Sequence, residues 1–482
     1  MAKTLFNSSE KSNFILNMTE EKYSSIASKA LAAMCLIIPI AAIPTECSDS
    51  VGASLISAGL AVSGVICLVL ALIAVMKKYV SRKMIFPVAA FGIMLIWGIV
   101  SLATSYDINV SFYGFDGRGE GLLALIFYFG FFLTGMTLKN EKAIDMLING
   151  ILASGLLNSL WSLIQIFTGK LGEYRIVGFK QAYTAIEPYA ASGLTRSPIF
   201  LAMLLSLALT AAVIGAVMSG SKKKRIFCIV CSCIFSFVIM FTYSLVGVIG
   251  TVLAVISAVI AVILSKAPKI RLAAITAVIV PAAAAVTLAA TGIIGEENCY
   301  KLYDGNIMWW SSYNTNDASG NYDPDKVDVK STADVYSFMF GETLNIIKQY
   351  PLSGTGPEQL VYPQISTSYV ITENIGTFDK CYNEYLYTAA TRGIPSAIAL
   401  IAALIGIIVL GVETFRRRKN SSAAASVFFI TVCVALLLFI SCGSITFSPM
   451  FWAAAGASCA VTKEADSVRQ KKKHEKIYGS AK

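Results

Sequence analysis

Long apolar runs, separated by short polar or basic stretches, repeat along almost the whole chain. Most have the length of roughly 17 to 25 residues that a helix needs to cross a bilayer. The pattern predicts twelve spans, at 28–44, 53–76, 84–104, 120–138, 146–168, 197–218, 226–243, 245–265, 271–293, 384–411, 425–442 and 448–462. In lipid each helix satisfies its own backbone hydrogen bonds. We therefore expect an all-α polytopic membrane protein with about 12 transmembrane helices.

One long polar stretch interrupts the pattern between spans 9 and 10. The predicted organisation is an N-terminal tail (1–27), a bundle of spans 1–9 (28–293), a large extracytoplasmic loop (294–382), spans 10–12 (383–463) and a basic tail (464–482). Within the loop, apolar residues at helical spacing begin after Ser331 or Thr332 and stop at Pro351. This spacing predicts an amphipathic helix lying on the membrane surface or at the mouth of the bundle.

Composition and charge agree with a membrane protein and indicate its orientation. Apolar residues make up 56% of the 482 and charged residues only 14%, whereas soluble domains carry roughly 25% charged residues. With a cytoplasmic N-terminus, the basic blocks all fall inside, including "KKYVSRK", "SKKKR", "FRRRKN" and the tail "RQKKKHEK". By the positive-inside rule we expect both termini in the cytoplasm. The net charge of +10 is then a topology signal that suits anionic headgroups of the bilayer, and no nucleic-acid partner is indicated.

The predicted outer face carries a set of cations that suits an anion. Its members are Arg118, Arg175 and Arg196, with Lys180 near them. The planar fork of arginine binds phosphate and diphosphate well. Alternatively, these residues cap helix ends or neutralise Glu120 and Glu173.

Arg392 lies about eight residues into the tenth predicted span. At that depth a charge should face a wet cavity or a partner.

Cysteine and histidine add little. Only Cys47, Cys299 and Cys381 are expected to face outward, and a Cys299–Cys381 bridge would tie the ends of the long loop. The single histidine, His474, lies in the basic tail. A histidine-based or zinc-based catalyst on the outer face is therefore not expected.

Four local stretches resemble the O-antigen ligase and polymerase superfamily of bacterial envelope enzymes. "GRGEGLL" matches at Arg118, Glu120 and Gly121, and "SGLTRSP" keeps Gly193 and Pro198. The other two stretches are longer. "YPLSGTGPEQ" resembles a Pro-Leu-x-Gly-x-Gly segment of the family's long loop, and "DKCYNEYLYTAATRGIP" resembles its Asp-Lys-Ala-His-Asn-Glu-Tyr-Leu run. The second matches at Asp379, Lys380, Asn383, Glu384, Tyr385, Leu386, Gly393, Ile394 and Pro395.

The chain also departs from the family's pattern at three polar positions. The histidine of the last motif is Tyr382, and the Ser-Arg-Gly that opens the eighth span is "YSLVG". The arginine that precedes the loop helix is absent, with Tyr336 or Ser337 near its place. An unperturbed tyrosine has a pKa near 10 and is a poor base.

The resemblance implies a metal-independent glycosyltransferase of the bacterial plasma membrane that needs no cofactor. The donor would be a glycan on a polyprenyl diphosphate such as undecaprenyl diphosphate, and the acceptor a hydroxyl of another glycan or lipid-linked sugar. The four cations Arg118, Arg175, Lys180 and Arg196 would hold the diphosphate. Tyr382, Asn383 or Glu384 would orient the acceptor hydroxyl, with Asp379 as a base.

Two other functions remain open from the sequence. Twelve spans also suit a transporter or a flippase of lipid-linked glycan or a small solute. Carriers often have charged residues near mid-membrane, or two halves of similar sequence. Apart from Arg392, neither feature is evident in this sequence. The missing histidine and arginine also suit a catalytically inactive relative.

Overall fold

The computed structural model describes residues 18–43, 52–79, 82–115, 118–168, 191–195, 197–242, 244–265, 332–366 and 378–460. The predicted span 271–293, the loop residues 294–331 and 367–377, residues 1–17 of the N-terminal tail, the basic tail, and Arg175, Lys180 and Arg196 lie outside these residues. The regular structure of the described residues is helical.

The described α-helices, numbered in chain order, are α1 Glu20–Ala42, α2 Gly52–Met76, α3 Ile85–Ala103, α4 Ile108–Tyr113, α5 Leu122–Gly135, α6 Glu141–Thr168, α7 Pro198–Met218, α8 Lys222–Met240, α9 Leu245–Ser265, α10 Thr332–Gln349, α11 Val361–Ser366, α12 Glu384–Arg392, α13 Ile394–Arg417, α14 Ser422–Leu437 and α15 Ser448–Ser458.

Seven of the described helices are long and apolar enough to cross a membrane: α1, α2, α3, α6, α7, α9 and α13. Helices α5 and α14 are equally apolar but shorter. Helix α8 begins with four basic residues, Lys222 to Arg225, so only its remaining part is apolar. Large apolar side chains such as Leu72 and Ile398 are exposed along these helices, as expected of a surface that faces lipid. The protein is therefore a helical protein of the multi-pass membrane class.

Helix α7 forms the centre of one half of the bundle. Almost every residue from Ile199 to Met218 is buried, because α6, α8, α9 and α14 surround it. Small residues allow other helices to approach closely. A Cβ added at Gly135 of α5 would overlap the carbonyl oxygen of Ala453 in α15, and one at Gly456 would overlap that of Phe132. Gly135 and Gly456 thus let these two backbones touch, as in many membrane helix pairs.

The predicted span 384–411 is two helices in the structure. Helix α12 ends at Arg392, and α13 begins after Gly393, whose φ of +83° favours glycine. Pro395 occupies the first turn of α13, where a missing amide donor costs nothing. The break leaves carbonyl groups of α12 free for other partners, and these lie in the long loop.

Residues 351–356 fill that break. The Thr355 amide donates to Ala390 O (3.0 Å), the Gly356 amide to Thr391 O (2.9 Å), and the Ile394 amide to Pro351 O (2.9 Å). Trp97 and Ser101 of α3 donate from the other side, to Leu352 O (2.6 Å) and Thr391 O (2.7 Å). The loop is thereby fixed against the helix break, and α10 packs beside it with Met339, Ile346 and Ile347 buried.

The two ends of α13 lie in different surroundings. Its first residue follows Gly393 at the packed loop, and its last turn carries Arg416 and Arg417. At 24 residues it is about 36 Å long, enough to span a bilayer. Near the second end, Glu413 pairs with Lys83 (3.3 Å) and with Arg417. The predicted inner basic segments that contain Lys83 and Arg417 therefore meet at the end remote from the loop.

Candidate functional site

Seven charged side chains from four separate segments meet at the loop end of the bundle. We refer to them as the charge cluster: Arg118, Glu120, Glu358, Asp379, Lys380, Glu384 and Arg392. They come from the segment before α5, the loop after α10, the segment 378–383 and helix α12. Three of the four stretches that carry the family resemblance therefore converge here.

Arg118 lies between two carboxylates. Its Nε is 3.3 Å from Glu358 Oε2, and its Nη1 forms an ion pair with Asp379. The guanidinium also stacks over the Phe115 ring at 5.0 Å. Glu358 is only 1% exposed, whereas Arg118 is 23% and Asp379 42% exposed. Arg118 thus joins a buried carboxylate to one that faces solvent.

Glu358 is held by hydrogen bonds in addition to Arg118. The Phe115 amide donates to its Oε2 (3.4 Å) and the Tyr387 hydroxyl to its Oε1 (3.1 Å). Burial alone would raise the pKa of Glu358, but Arg118, Lys380 and these donors lower it below its ordinary value. Its φ of +64° is unusual for a residue other than glycine. Such strain is typical of functional sites.

Lys380 forms the second ion pair, with Glu120, and both side chains are nearly buried. Lys380 also donates to Gly443 O (2.8 Å), and its ammonium lies 5.2 Å from the Phe200 ring. Phe200 belongs to α7 and lies two residues after Pro198, the last residue of the fourth resembling stretch. Burial would lower the pKa of Lys380, but Glu120 and Glu358 outweigh it and the pKa is raised.

Glu120 is the least satisfied carboxylate of the cluster. Its Oε2 faces Lys380, but its buried Oε1 has no hydrogen-bond partner within the described residues. Burial raises the pKa of Glu120 to about 7, the pairing with Lys380 opposes the shift, and Glu358 and Glu384 add to it. Glu120 can therefore exchange a proton near neutral pH.

A cavity of about 60 Å³ adjoins Glu120. Glu384, Arg392, Tyr387, Tyr128 and Ser448 form its polar wall, and its remaining lining is mostly apolar, with Met94, Leu125, Leu400, Leu438, Phe447, Phe451 and Trp452. This volume admits a few water molecules, which polar walls of this kind hold. Arg392 lines the cavity and donates to Glu384 (3.2 Å) and Thr388 (3.0 Å), so its charge has both a partner and a polar space.

Asn383 and Glu384, two of the four predicted catalytic residues, serve the local structure. Asn383 caps α12 by accepting from the amides of Tyr385 (3.1 Å) and Leu386 (3.0 Å). Glu384 accepts from Arg392 and from the Gly443 amide (2.9 Å). Asp379, the third, pairs with Arg118 as described above.

The fourth, Tyr382, has an unusual backbone and an aromatic neighbour. Its φ is +48°, and its ring centroid lies 6.2 Å from that of Tyr336 in α10. Tyr336 in turn packs edge-on against Phe340 at 5.6 Å and donates to Ile440 O (3.2 Å). The three partly buried rings form an aromatic patch beside the charge cluster.

Sequence reasoning missed two features of this site. Glu358 is not among the residues that the sequence analysis singles out, although its position after "SGTGP" in a resembling stretch is a usable signal. The cavity wall contributed by Tyr128 and Ser448 carried no signal, because isolated hydroxyl groups in apolar spans usually bond within their own helix.

Comparison with known proteins adds no family assignment. No family model matches the sequence, and a search of curated proteins finds no match. The class that the fold and site define is therefore a helical membrane protein with a buried charge cluster at one end of the bundle.

Proposed function

We propose that this protein transfers a glycan from a polyprenyl diphosphate carrier to an acceptor hydroxyl at the membrane surface that holds the charge cluster. The observation that carries the proposal is the convergence of three of the four resembling stretches on one site. Arg118 and Glu120, Glu358, and 379–384 come from distant parts of the sequence. Chance resemblances would have no reason to meet at one site.

The surroundings suit a lipid-linked diphosphate. The helices carry exposed apolar side chains along their length, so the lipid tail can remain in the bilayer. Arg118 is the partly exposed cation of the cluster, and Arg175, Lys180 and Arg196 are proposed to join it around the diphosphate. Cations placed there stabilise the charge that grows on the leaving phosphate.

Arg118 already has carboxylate partners, which gives the donor a specific way to bind. A diphosphate can replace the exposed Asp379 on Arg118, while the buried Glu358 keeps the guanidinium in place. Asp379, released from its ion pair, is then the solvent-facing carboxylate nearest to the reacting groups. It accepts the proton of the acceptor hydroxyl as that oxygen attacks the anomeric carbon and the diphosphate leaves.

The aromatic patch suits the glycan part of donor or acceptor. Tyr336, Phe340 and Tyr382 offer ring faces next to the charge cluster, and rings of this kind pack on the apolar faces of sugars. In this arrangement Tyr382 contacts the sugar with its ring. The residue orients the sugar and does not act as a base.

The test is deletion of the gene followed by analysis of envelope glycans and lipid-linked intermediates. Accumulation of lipid-linked glycan on the outer leaflet, reversed by the wild-type gene but not by an Asp379→Ala variant, is the expected result. Unchanged glycans together with altered solute uptake would support a transporter instead. The cavity beside Glu120 is too small for a sugar, which disfavours it as a carrier's central site.

A catalytically inactive, glycan-binding relative is the second candidate, because Tyr382 replaces the family's histidine and Asn383 and Glu384 have structural roles. Purified protein in lipid nanodiscs separates the two. An enzyme releases polyprenyl diphosphate from the donor when acceptor is added, whereas a binding protein retains donor without turnover.

A further inference from the structure

Two cysteines lie in adjoining loops at the wall of the site, and neither takes part in the proposed reaction. Cys381 follows Lys380, and Cys442 lies between α14 and α15. The sequence pattern had placed Cys442 inside a span ending at 442, but α14 ends at Leu437, so Cys442 belongs to a loop. Both residues are fully buried and belong to one small apolar cluster, separate from the main core.

Three hydrogen bonds hold the two segments side by side around these cysteines. Lys380 Nζ donates to Gly443 O (2.8 Å), the Glu384 amide donates to Ser441 O (3.1 Å), and the Gly443 amide donates to Glu384 Oε2 (2.9 Å). Cys381 lies between Lys380 and Glu384, and Cys442 lies between Ser441 and Gly443. The flanking contacts therefore bring the two cysteines face to face, and their thiols interact.

The surroundings of these two thiols indicate no other role for them. The Cys381 thiol makes a weak hydrogen bond to Asn383 O (3.4 Å). Within the described residues, no group of three metal-binding side chains includes either cysteine. The predicted orientation puts this end of the bundle outside the cytoplasm, where disulfides form and persist.

We propose that Cys381 and Cys442 form a disulfide that fastens segment 378–384 to the loop between α14 and α15. The bond forms by exchange with a disulfide of another molecule in the same compartment. One cysteine thiolate attacks that disulfide and releases a thiolate. The second cysteine then displaces the remaining half, so two protein thiols are oxidised, one external disulfide is reduced, and two protons pass to the released thiols.

We expect the bond to form before the two segments finish packing. Burial raises the pKa of the Cys442 thiol in the folded protein, which removes the reactive thiolate. Once formed, the disulfide holds Lys380 and Glu384 in place and restrains the unfolded chain between two positions far apart in the sequence. The inference depends on the orientation of the protein and not on the proposed glycan transfer.

The test uses the full-length protein in the bacterial plasma membrane. Cells are quenched in acid, the protein is denatured with N-ethylmaleimide, and its peptides are identified by mass spectrometry with and without prior reduction. We expect a linked pair of peptides containing Cys381 and Cys442 that disappears after reduction. Cys433, buried in α14 beside Ser257, is the internal control and should be recovered as a free thiol.

The other outcomes are equally decisive. Recovery of both cysteines as alkylated thiols from cells overturns the proposal. A Cys299–Cys381 bridge overturns it as well. A bond that appears only after oxidised glutathione is added to the purified protein shows that the pair is a dithiol in the cell, and it overturns the proposal as well.

A stability measurement provides a readout that does not depend on peptide recovery. Reduction should lower the Tm of the oxidised wild-type protein, and it should leave the Tm of the Cys381→Ser/Cys442→Ser protein unchanged. An equal loss in both proteins would show that the reductant acts elsewhere and would contradict the proposal.

Discussion

The ring of Tyr382 lies 6.2 Å from the ring of Tyr336, measured between centroids. In the sequence comparison, the family that the chain resembles has a histidine at Tyr382 and an arginine near Tyr336 or Ser337. In this chain two aromatic residues that contact each other lie at or near these positions. They present an aromatic surface there, so we expect Tyr382 to act through its ring.

Substitutions at Tyr382 test this expectation. Tyr382→Phe keeps the ring and should retain glycan transfer, whereas Tyr382→Ala should reduce it about tenfold, the value of roughly one good aromatic contact. The measurement is release of polyprenyl diphosphate by protein in nanodiscs. Loss of transfer in Tyr382→Phe would mean that the hydroxyl is needed, and the interpretation as a packing surface would be wrong. Phe340→Ala, at the far side of the patch, serves as a control with a smaller expected effect.

A second prediction concerns the exchange of partners on Arg118. Asp379→Asn removes the exposed carboxylate that competes with a diphosphate, so inorganic diphosphate should bind several-fold more tightly. The same variant lacks the proposed base and should transfer glycan more slowly. Titration calorimetry and the transfer assay measure these opposite changes.

The control for that experiment is Glu358→Gln. Glu358 is buried, so its removal leaves Arg118 without its inner partner and should lower stability, by about 3 to 5 kcal/mol if the pair behaves as other buried pairs do. If Asp379→Asn weakens diphosphate binding, Asp379 does not compete for Arg118, and the proposed donor site is wrong.

A third prediction follows from Glu120, whose pKa is raised to about 7 by burial. In the unfolded chain a glutamate has a pKa near 4.3. Between these values the folded protein binds a proton that the unfolded chain does not, so stability falls as pH rises from about 4.5 through 7. The full effect is roughly 4 kcal/mol.

Glu120→Gln should flatten this dependence, because an amide does not titrate. The measurement is Tm between pH 5 and 8, in detergent or nanodiscs, compared with Glu342→Gln in α10, which removes the same charge outside the cluster. The absolute Tm of Glu120→Gln matters less than its slope, since the variant also leaves Lys380 without its carboxylate. A slope equal to that of the wild-type protein would show that Glu120 stays ionised.

Seven of the twelve predicted spans correspond to described helices that are long and apolar enough to cross a membrane, and the helix ends are less well predicted. Apolar runs of membrane-spanning length identify α1, α2, α3, α6, α7, α9 and α13 because the bilayer imposes that length. The break at Gly393 was hidden, since the apolar run continues across it. Glycine followed by Ile394 and Pro395 is a typical sequence for a helix that ends and starts again. The break is stabilised by the loop 351–356, about forty residues earlier in the chain. Apolar periodicity carries no information about such contacts.

The candidate site was predictable only as separate pieces. The motifs drew attention to Arg118, Glu120, Asp379 and Arg392 as polar residues in unusual places. Their pairing was not predictable, because an ion pair such as Arg118–Glu358 joins residues that are remote in sequence. Either Glu358 or Asp379 alone would also satisfy the arginine. Cys381 and Cys442 likewise meet only through tertiary packing.

The last prediction concerns the contact between the glycine-rich loop and the helix break. At Gly393, φ is +83° and an added Cβ would overlap the carbonyl oxygen of Leu352. At Gly354, φ is +68° and a Cβ would overlap the backbone of Thr391. Alanine at either position meets both an unfavourable φ, which costs about 1–2 kcal/mol, and a backbone clash that separates the two segments. We expect a clear fall in Tm together with loss of the function of the site.

Two other glycines provide matched controls for this prediction. Gly92 in α3 and Gly341 in α10 have open space where a Cβ would be placed. Alanine is the better helix former by about 0.5–1 kcal/mol, so Gly92→Ala and Gly341→Ala should maintain or raise the Tm. If Gly393→Ala proves as stable as these controls, the loop does not pack against the break in the membrane. The charge cluster would then lose the support that positions Glu358 beside Arg118.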